Sequence, residues 1–127
     1  MIFDTDILIW FLRRHPRAAE FIDSVPVGER NLSAISYLEL LYGCRTREDL
    51  REVHRAIAEL IAEVLPLTEG LTKTAQELME RFVLSRRPDA EDVLIAATAL
   101  SRHEEVATGN LKHFNFIPGL IVKPFRP

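Results

Sequence analysis

A single cysteine, Cys44, stands among 127 residues. That excludes an internal disulfide framework, and it excludes a thiolate zinc cluster, which needs several sulfurs. A reducing, cytoplasmic setting is the expected home. Long apolar runs are missing as well. The N-terminal MIFDTDILIWFL is interrupted by Asp4 and Asp6 before it reaches the length a bilayer requires, and no basic leader precedes it. Neither a signal peptide nor a membrane span is expected. Glycine (5) and proline (7) are too few and too scattered for a linker, and no repeat or low-complexity tract occurs. Charge of one sign is not in excess: 16 Lys and Arg against 19 Asp and Glu leave a net charge of -3. This argues against a passive nucleic-acid coat protein. It does not exclude an enzyme that brings cations to a phosphate substrate.

What is present reads as one globular domain, residues 1–127, of α/β class. IFD predicts a short buried strand with Asp4 near its C-terminal end, and the spacing of Ile7, Trp10 and Phe11 predicts a helix leaving it. Pro16 opens a second helix that stops near Pro26. NLSAI predicts another strand. SYLELLYG follows, with Ser36 and Glu39 at capping-box spacing and Gly43 as a stop. DLREVHRAIAELIAEV carries an apolar stripe at Leu50, Val53, Ile57, Leu60, Ile61 and Val64, and LPL after it reads as a brief strand or connection. TEGLTKTAQELMERFVLS and AEDVLIAATALSRH predict two more helices, with Val93, Ala96, Ala97 and Leu100 as packing positions. EEVATGN and LIVKP predict the last strands. Strands alternating with helices indicate a mainly parallel sheet flanked by helices.

The acids fall in telling places. Asp4 ends the first strand, Glu39 lies in the first turn of a helix after a second strand, and Asp92 lies in the first turn of the alanine-rich helix after Pro88. In an open α/β sheet, sites form beyond the C-terminal ends of strands, so these three could converge on one cleft. Oxygen ligands suit Mg²⁺ or Mn²⁺, and such a site suits metal-assisted phosphodiester hydrolysis. Simpler roles compete. Glu39 would serve equally as the helix-capping partner of Ser36, and Asp92, with Asp89 and Glu91, as an acid favoured at a helix N-terminus. Asp6 is expected to be the N-cap of the first helix. Asp4, an acid in a strand otherwise reading as core, is better explained by a metal.

IFDTDILI, SAISYLELLYG, EDVLIAATAL and ATGNLKHFNFIPGLIV, in that order and over nearly the whole chain, resemble PIN-domain ribonucleases, specifically VapC-type toxins of type II toxin–antitoxin pairs. The resemblance implies a three-layer α/β/α sandwich and a Mg²⁺- or Mn²⁺-dependent endoribonuclease acting on structured RNA such as tRNA or rRNA. It places the metal-binding, catalytic acids on Asp4, Glu39 and Asp92, with Thr108 and Asn110 as polar loop residues lining the site. Asp6 stands where many relatives have Asn. His113 stands where many carry a fourth acid, since this chain reads NLKHF. For His113 a contact to substrate phosphate, proton transfer and a plain surface position beside Phe114 stay open; it is not counted as a ligand.

The resemblance further implies a homodimer and a cognate antitoxin whose C-terminal segment lies over an apolar groove. Trp10, Phe11, Tyr37, Leu41 and Tyr42 are candidates for the groove, the dimer face or simply the core. Arg13, Arg14, Arg17, Arg45, Arg47, Arg51, Arg86 and Arg87 would either line an RNA path or form solvated helix faces. Two other functions share the same acids: a non-catalytic RNA- or protein-binding module with a vestigial acidic site, and a phosphatase of small esters.

Overall fold

The computed structural model describes residues 1–127. Five short strands form one sheet: β1 (Ile2–Phe3), β2 (Asn31–Ser33), β3 (Glu63–Leu65), β4 (Val106–Thr108) and β5 (Val122–Pro124). Their order is β3-β2-β1-β4-β5, and every pairing is parallel. The sheet is thus wholly parallel, as expected where helical crossovers carry the chain from strand to strand. Six helices supply the first three crossovers, two to each: α1 (Thr5–Leu12), α2 (Pro16–Asp23), α3 (Ala34–Tyr42), α4 (Arg47–Leu60), α5 (Glu69–Phe82) and α6 (Ala90–Arg102). Only a short 3-10 turn lies between β4 and β5.

Alternation along the strands sorts the core into two layers. Phe3, Leu32 and Ala107 face one side, where Ile7, Leu8, Ala18, Ile22, Leu40 and Val53 of α1–α4 cover them. Ile2, Leu65 and Val106 face the other, against Ile95, Ala96 and Ala99 of α6, and α5 packs on α6 through Leu71, Ala75, Val93 and Ala97. Successive residues of a strand point to opposite faces, so β1 with only two residues feeds both layers. The alanines of α6 let its axis lie close to the sheet. Of the four packing positions expected there, Val93, Ala96 and Ala97 are buried and Leu100 is half-buried. No helix is long and apolar enough to cross a membrane.

Several expected boundaries move. The capping box of Ser36 and Glu39 does not form. Ser33 is the N-cap of α3, its hydroxyl accepting from the Ile35 amide at 3.3 Å, and the strand expected over NLSAI stops there. A capping box does exist at Thr46 and Asp49, opening α4. That helix ends at Leu60 because Ile61 turns extended, with φ -102° and ψ 125°, so Val64 belongs to β3 rather than to the helical stripe. The strand expected at LPL accordingly begins two residues earlier.

The strand order matters for function. From β1 the chain steps outward through β2 to β3, then returns to place β4 on the other side of β1. The reversal opens a crevice beyond the C-terminal ends of β1 and β4, the usual ligand position in such sheets.

Candidate active site

Asp4 follows β1 directly, and Thr108 ends β4. The two meet across the crevice. The Thr108 hydroxyl donates to Asp4 Oδ2 at 2.7 Å, and the Thr5 amide donates to Asp4 Oδ1 at 2.8 Å. Asp4, not Asp6, is the N-cap of α1. Only Asp4 separates the strand from the helix, which puts Asp6 inside the first turn of α1. From there Asp6 Oδ2 accepts from the Gly109 amide at 2.9 Å and from Asn110 Nδ2 at 3.3 Å. Asp6 therefore ties down the loop after β4 instead of closing its own helix. Its other oxygen, Oδ1, is buried and has no hydrogen-bond partner. Gly109 is required by this approach: a Cβ there would stand 2.7 Å from Asp6 Oδ2. The Asn110 amide donates in turn to the Thr108 hydroxyl at 2.8 Å.

Glu39 sits deeper in α3 than a first-turn acid would, because Ser33 starts the helix early. The Thr5 hydroxyl lies 2.8 Å from that of Ser36 and donates to Glu39 Oε1 at 3.0 Å. Asp92 is in the first turn of α6, as expected. Its Oδ2 lies 2.9 Å from Nδ1 of His113, a residue on the single turn of 3-10 helix Leu111–His113. His113 is thus no bystander beside Phe114; it is joined to a candidate catalytic acid.

Electrostatics bind the group together. Asp4 is held above the ordinary carboxyl range by burial, against the pull of its Thr108 and Thr5 hydrogen bonds. Asp6 is pushed up to about 6 by burial and then by the charge of Asp4. Asp92 is pushed up to about 6 by burial and Asp4, with His113 pulling the other way. Glu39 reaches about 7, again chiefly through burial, opposed by Thr5 and reinforced by Glu91 and Asp4. Four carboxyls that resist ionisation, three of them partly because of Asp4, are a set that a cation would relieve.

The tightest set of metal-capable atoms is Asp89, Asp92 and His113, all within 4.8 Å of one another; Asp4 and Glu39 lie outside that trio. The expected triad does not close on a point: Glu39 and Asp92 line separate hollows, and Asp4 is the acid whose charge reaches both. Asp89 and Glu91 were expected only as helix-terminal acids, and Thr5 and Ser36 not as site residues. The available signal was PDAED, three acids within four positions opening one helix.

Residues 1–116 match the family model described as PIN domain. Over 116 residues the chain is 37% identical to Ribonuclease VapC10 of Mycobacterium tuberculosis, spanning 90% of this chain and 85% of that protein. The chain belongs to the VapC family of PIN-domain ribonucleases. Ribonuclease VapC19 of the same organism is 30% identical over 122 residues, 94% of this chain and 95% of that one. In three dimensions this VapC-family chain is similar to one in VapBC2 of Rickettsia felis, a complex bound to a DNA fragment from its promoter. The TM-score is 0.83 at 23% identity, over 99% of this chain and 100% of that chain, which shows the shared PIN-like fold.

Proposed function

We propose that this VapC-family chain, as a single PIN-like unit, is the toxin of a toxin–antitoxin pair in the cytoplasm. It hydrolyses phosphodiester bonds within structured cellular RNA, tRNA or rRNA, and depends on Mg²⁺ or Mn²⁺. The observation that carries this is the convergence of Asp4, Asp6, Glu39 and Asp92 at the reversal point of the sheet, each above its ordinary pKa, with Asp6 Oδ1 buried and unpartnered.

An all-oxygen donor set fits a hard divalent cation. Asp4, Glu39 and Asp92 are the residues that would hold it, and the chemistry supplied there is an acidified water and neutralised charge on the phosphoryl oxygens. The chain's own contribution is orientation. Thr108 fixes one oxygen of Asp4, Thr5 turns Glu39 inward, and His113 sets the rotamer of Asp92. Asp6 holds the Gly109–Asn110 loop at the mouth of the cleft. Outer partners of this kind govern how well ligands are presented.

For the antitoxin, a groove beside the site is suitable. A hollow of about 410 Å³ runs from Glu39 past Leu40 and Val53 to Ile9 and Leu12, and a second of about 270 Å³ lies between α1, α2 and α4, lined by Phe11. Trp10, Tyr37 and Leu41 are half-buried against the core, whereas Tyr42 is 93% exposed and suits a contact between two copies.

The test is RNA cleavage with Mg²⁺ or Mn²⁺ against a chelator, with Asp4→Asn and Asp92→Asn. Cleavage should require metal, and each variant should lose at least about 100-fold in kcat while keeping its far-ultraviolet dichroism. Undiminished turnover by both folded variants would refute the mechanism. Metal-dependent RNA binding without any turnover by the parent would instead favour a vestigial binding module.

A further inference from the structure

Next to the carboxylates the surface changes sign. A notch of about 240 Å³ is lined by Arg86, Arg87 and Lys112 together with Asp89, Asp92 and His113. We propose that Arg86, Arg87 and Lys112 grip a backbone phosphate of the RNA and so seat the strand beside Asp92, an assignment that rests on the ribonuclease reading and deepens it.

Three observations support the assignment. The cations are unspent: none of the three enters an ion pair, although Asp89 and Asp92 share the notch with them. They occur in a chain whose net charge is -3, where a phosphate needs a local positive site to approach four acids. The backbone also places Arg87 there. Its φ is +45°, in the left-handed region that favours glycine, in the turn where the Arg86 and Arg87 amides both reach back to the Phe82 carbonyl. Arg14 and His103 take the same conformation just past α1 and at the end of α6, so the turn is a way of ending a helix that here brings Arg87 to the notch.

Geometry makes the notch suited to phosphate. The Arg86 guanidinium lies over the Phe116 ring, 5.4 Å from its centroid, which fixes the plane of the fork while leaving its N–H groups free. Lys112 adds a mobile point charge from the turn that carries His113. Because Asp92 belongs to both the notch and the acid cluster, a phosphate held here neighbours the one to be cleaved. Phosphate contacts of this type position a strand and carry no sequence information.

The test uses a short fluorescein-labelled RNA hairpin as probe. Binding is measured by anisotropy in an Asp4→Asn background with Mg²⁺, and cleavage kinetics in the otherwise unaltered chain. Arg86→Gln, Arg87→Gln and Lys112→Gln combined should weaken binding at least about 10-fold. The slope of log affinity against log salt should flatten by about 0.7–0.9 for each phosphate that is no longer neutralised. In cleavage KM should rise about 10-fold with kcat within about threefold. Arg86→Lys with Arg87→Lys keeps the charge and loses the stacked fork, so it should keep the parent's salt slope while binding a few-fold more weakly, a pairing that a merely structural role for the arginines would not give. If the parent cleaves RNA but the triple variant binds and cleaves it equally well, the notch proposal falls and the ribonuclease stands. If the triple variant keeps RNA but loses an acidic peptide, the notch serves a protein and the proposal is again overturned. A parent that cleaves no RNA in metal overturns both.

Discussion

Replacing Asp6 with Asn should make the metal-free protein more stable, and the gain should depend on pH in a defined way. Asp6 is held at about 6 in the fold against 3.8 in a free chain, through burial and the nearby charge of Asp4. A raised carboxyl pKa means that the folded state resists the ionised form. The fold bears no such penalty well below pH 3.8; the penalty grows as pH rises from there and is complete above about 6. At face value the displacement is worth about 3 kcal/mol, since each pH unit corresponds to about 1.4 kcal/mol. The side chain is only partly withdrawn from water, so screening reduces this to about 1–2 kcal/mol. Asn keeps an oxygen for the Gly109 amide and places an N–H where the unpartnered Oδ1 now lies. The measurement is thermal unfolding of both proteins with chelator at pH 8 and at pH 4.5. Asp6→Asn should melt about 3–8 °C higher at pH 8. Most of that gain should vanish at pH 4.5, and Mg²⁺ at pH 8 should shrink it as well. Cleavage with metal should stay within about 10-fold of the parent, because the loop anchor survives. Equal melting temperatures at pH 8, or a gain undiminished by acid, would refute the reasoning.

Gly109→Ala should push Asp6 aside, since the new Cβ would lie 2.7 Å from Oδ2; a loss of about 1 kcal/mol in denaturant unfolding and a several-fold drop in turnover are expected, and unchanged values in both would contradict the close approach. Thr108→Val removes the only side-chain donor to buried Asp4 Oδ2; metal affinity by calorimetry should fall about 10- to 100-fold with the valine still filling the space. Glu104 lies at the opposite end of the sheet, where it accepts from Asn31 Nδ2 at 2.8 Å, Arg102 Nε at 2.7 Å and the Met1 amino group at 2.6 Å. These hydrogen bonds hold its carboxyl below the ordinary range against burial. Its contribution is therefore present above a free-chain pKa of 4.5 and is lost as pH falls through the lower folded value. Glu104→Gln should cost about 1–3 kcal/mol at pH 7 and less near pH 3, read by urea unfolding with cleavage unaffected.

The layered fold was legible because its signals are local and repeated: alternating apolar segments, Pro16 at a helix start, the alanine stripe of α6. What the sequence hid were decisions between neighbouring residues of similar chemistry. Ser33 and Ser36 both suit a cap, and Ser33 prevails because β2 ends there, leaving Ser36 buried against Thr5. Asp4 and Asp6 both suit the cap of α1, and Asp4 takes it because the strand stops at Phe3. Asp4 does act electrostatically on both Glu39 and Asp92, but the pairings that hold these acids depend on contacts about a hundred residues apart. Neither Thr108 with Asp4 nor Gly109 with Asp6 has any trace in local spacing. His113 is similar. Its position in NLKHF marked it as unusual, while its bond to Asp92 needed the turn after β4 to face the start of α6.

The two opening acids show how the fold divides one local pattern into separate tasks. Asp4 is a helix cap by backbone geometry and a candidate ligand by location, and the roles are compatible because its two oxygens point to different elements. One oxygen satisfies α1, and the other is held by β4. Asp6, in the first turn of α1, has no cap left to make, so its carboxylate spans the same pair of elements from the solvent side. The start of α1 is thus tied at two points, to the end of β4 through Asp4 and to the loop just after it through Asp6. Any shift of α1 relative to β4 would break both ties together. This makes the α1–β4 seam the element whose loosening should cost catalysis and stability in parallel, whereas changes confined to Arg86, Arg87 and Lys112 should weaken RNA binding and leave both kcat and stability close to the parent's.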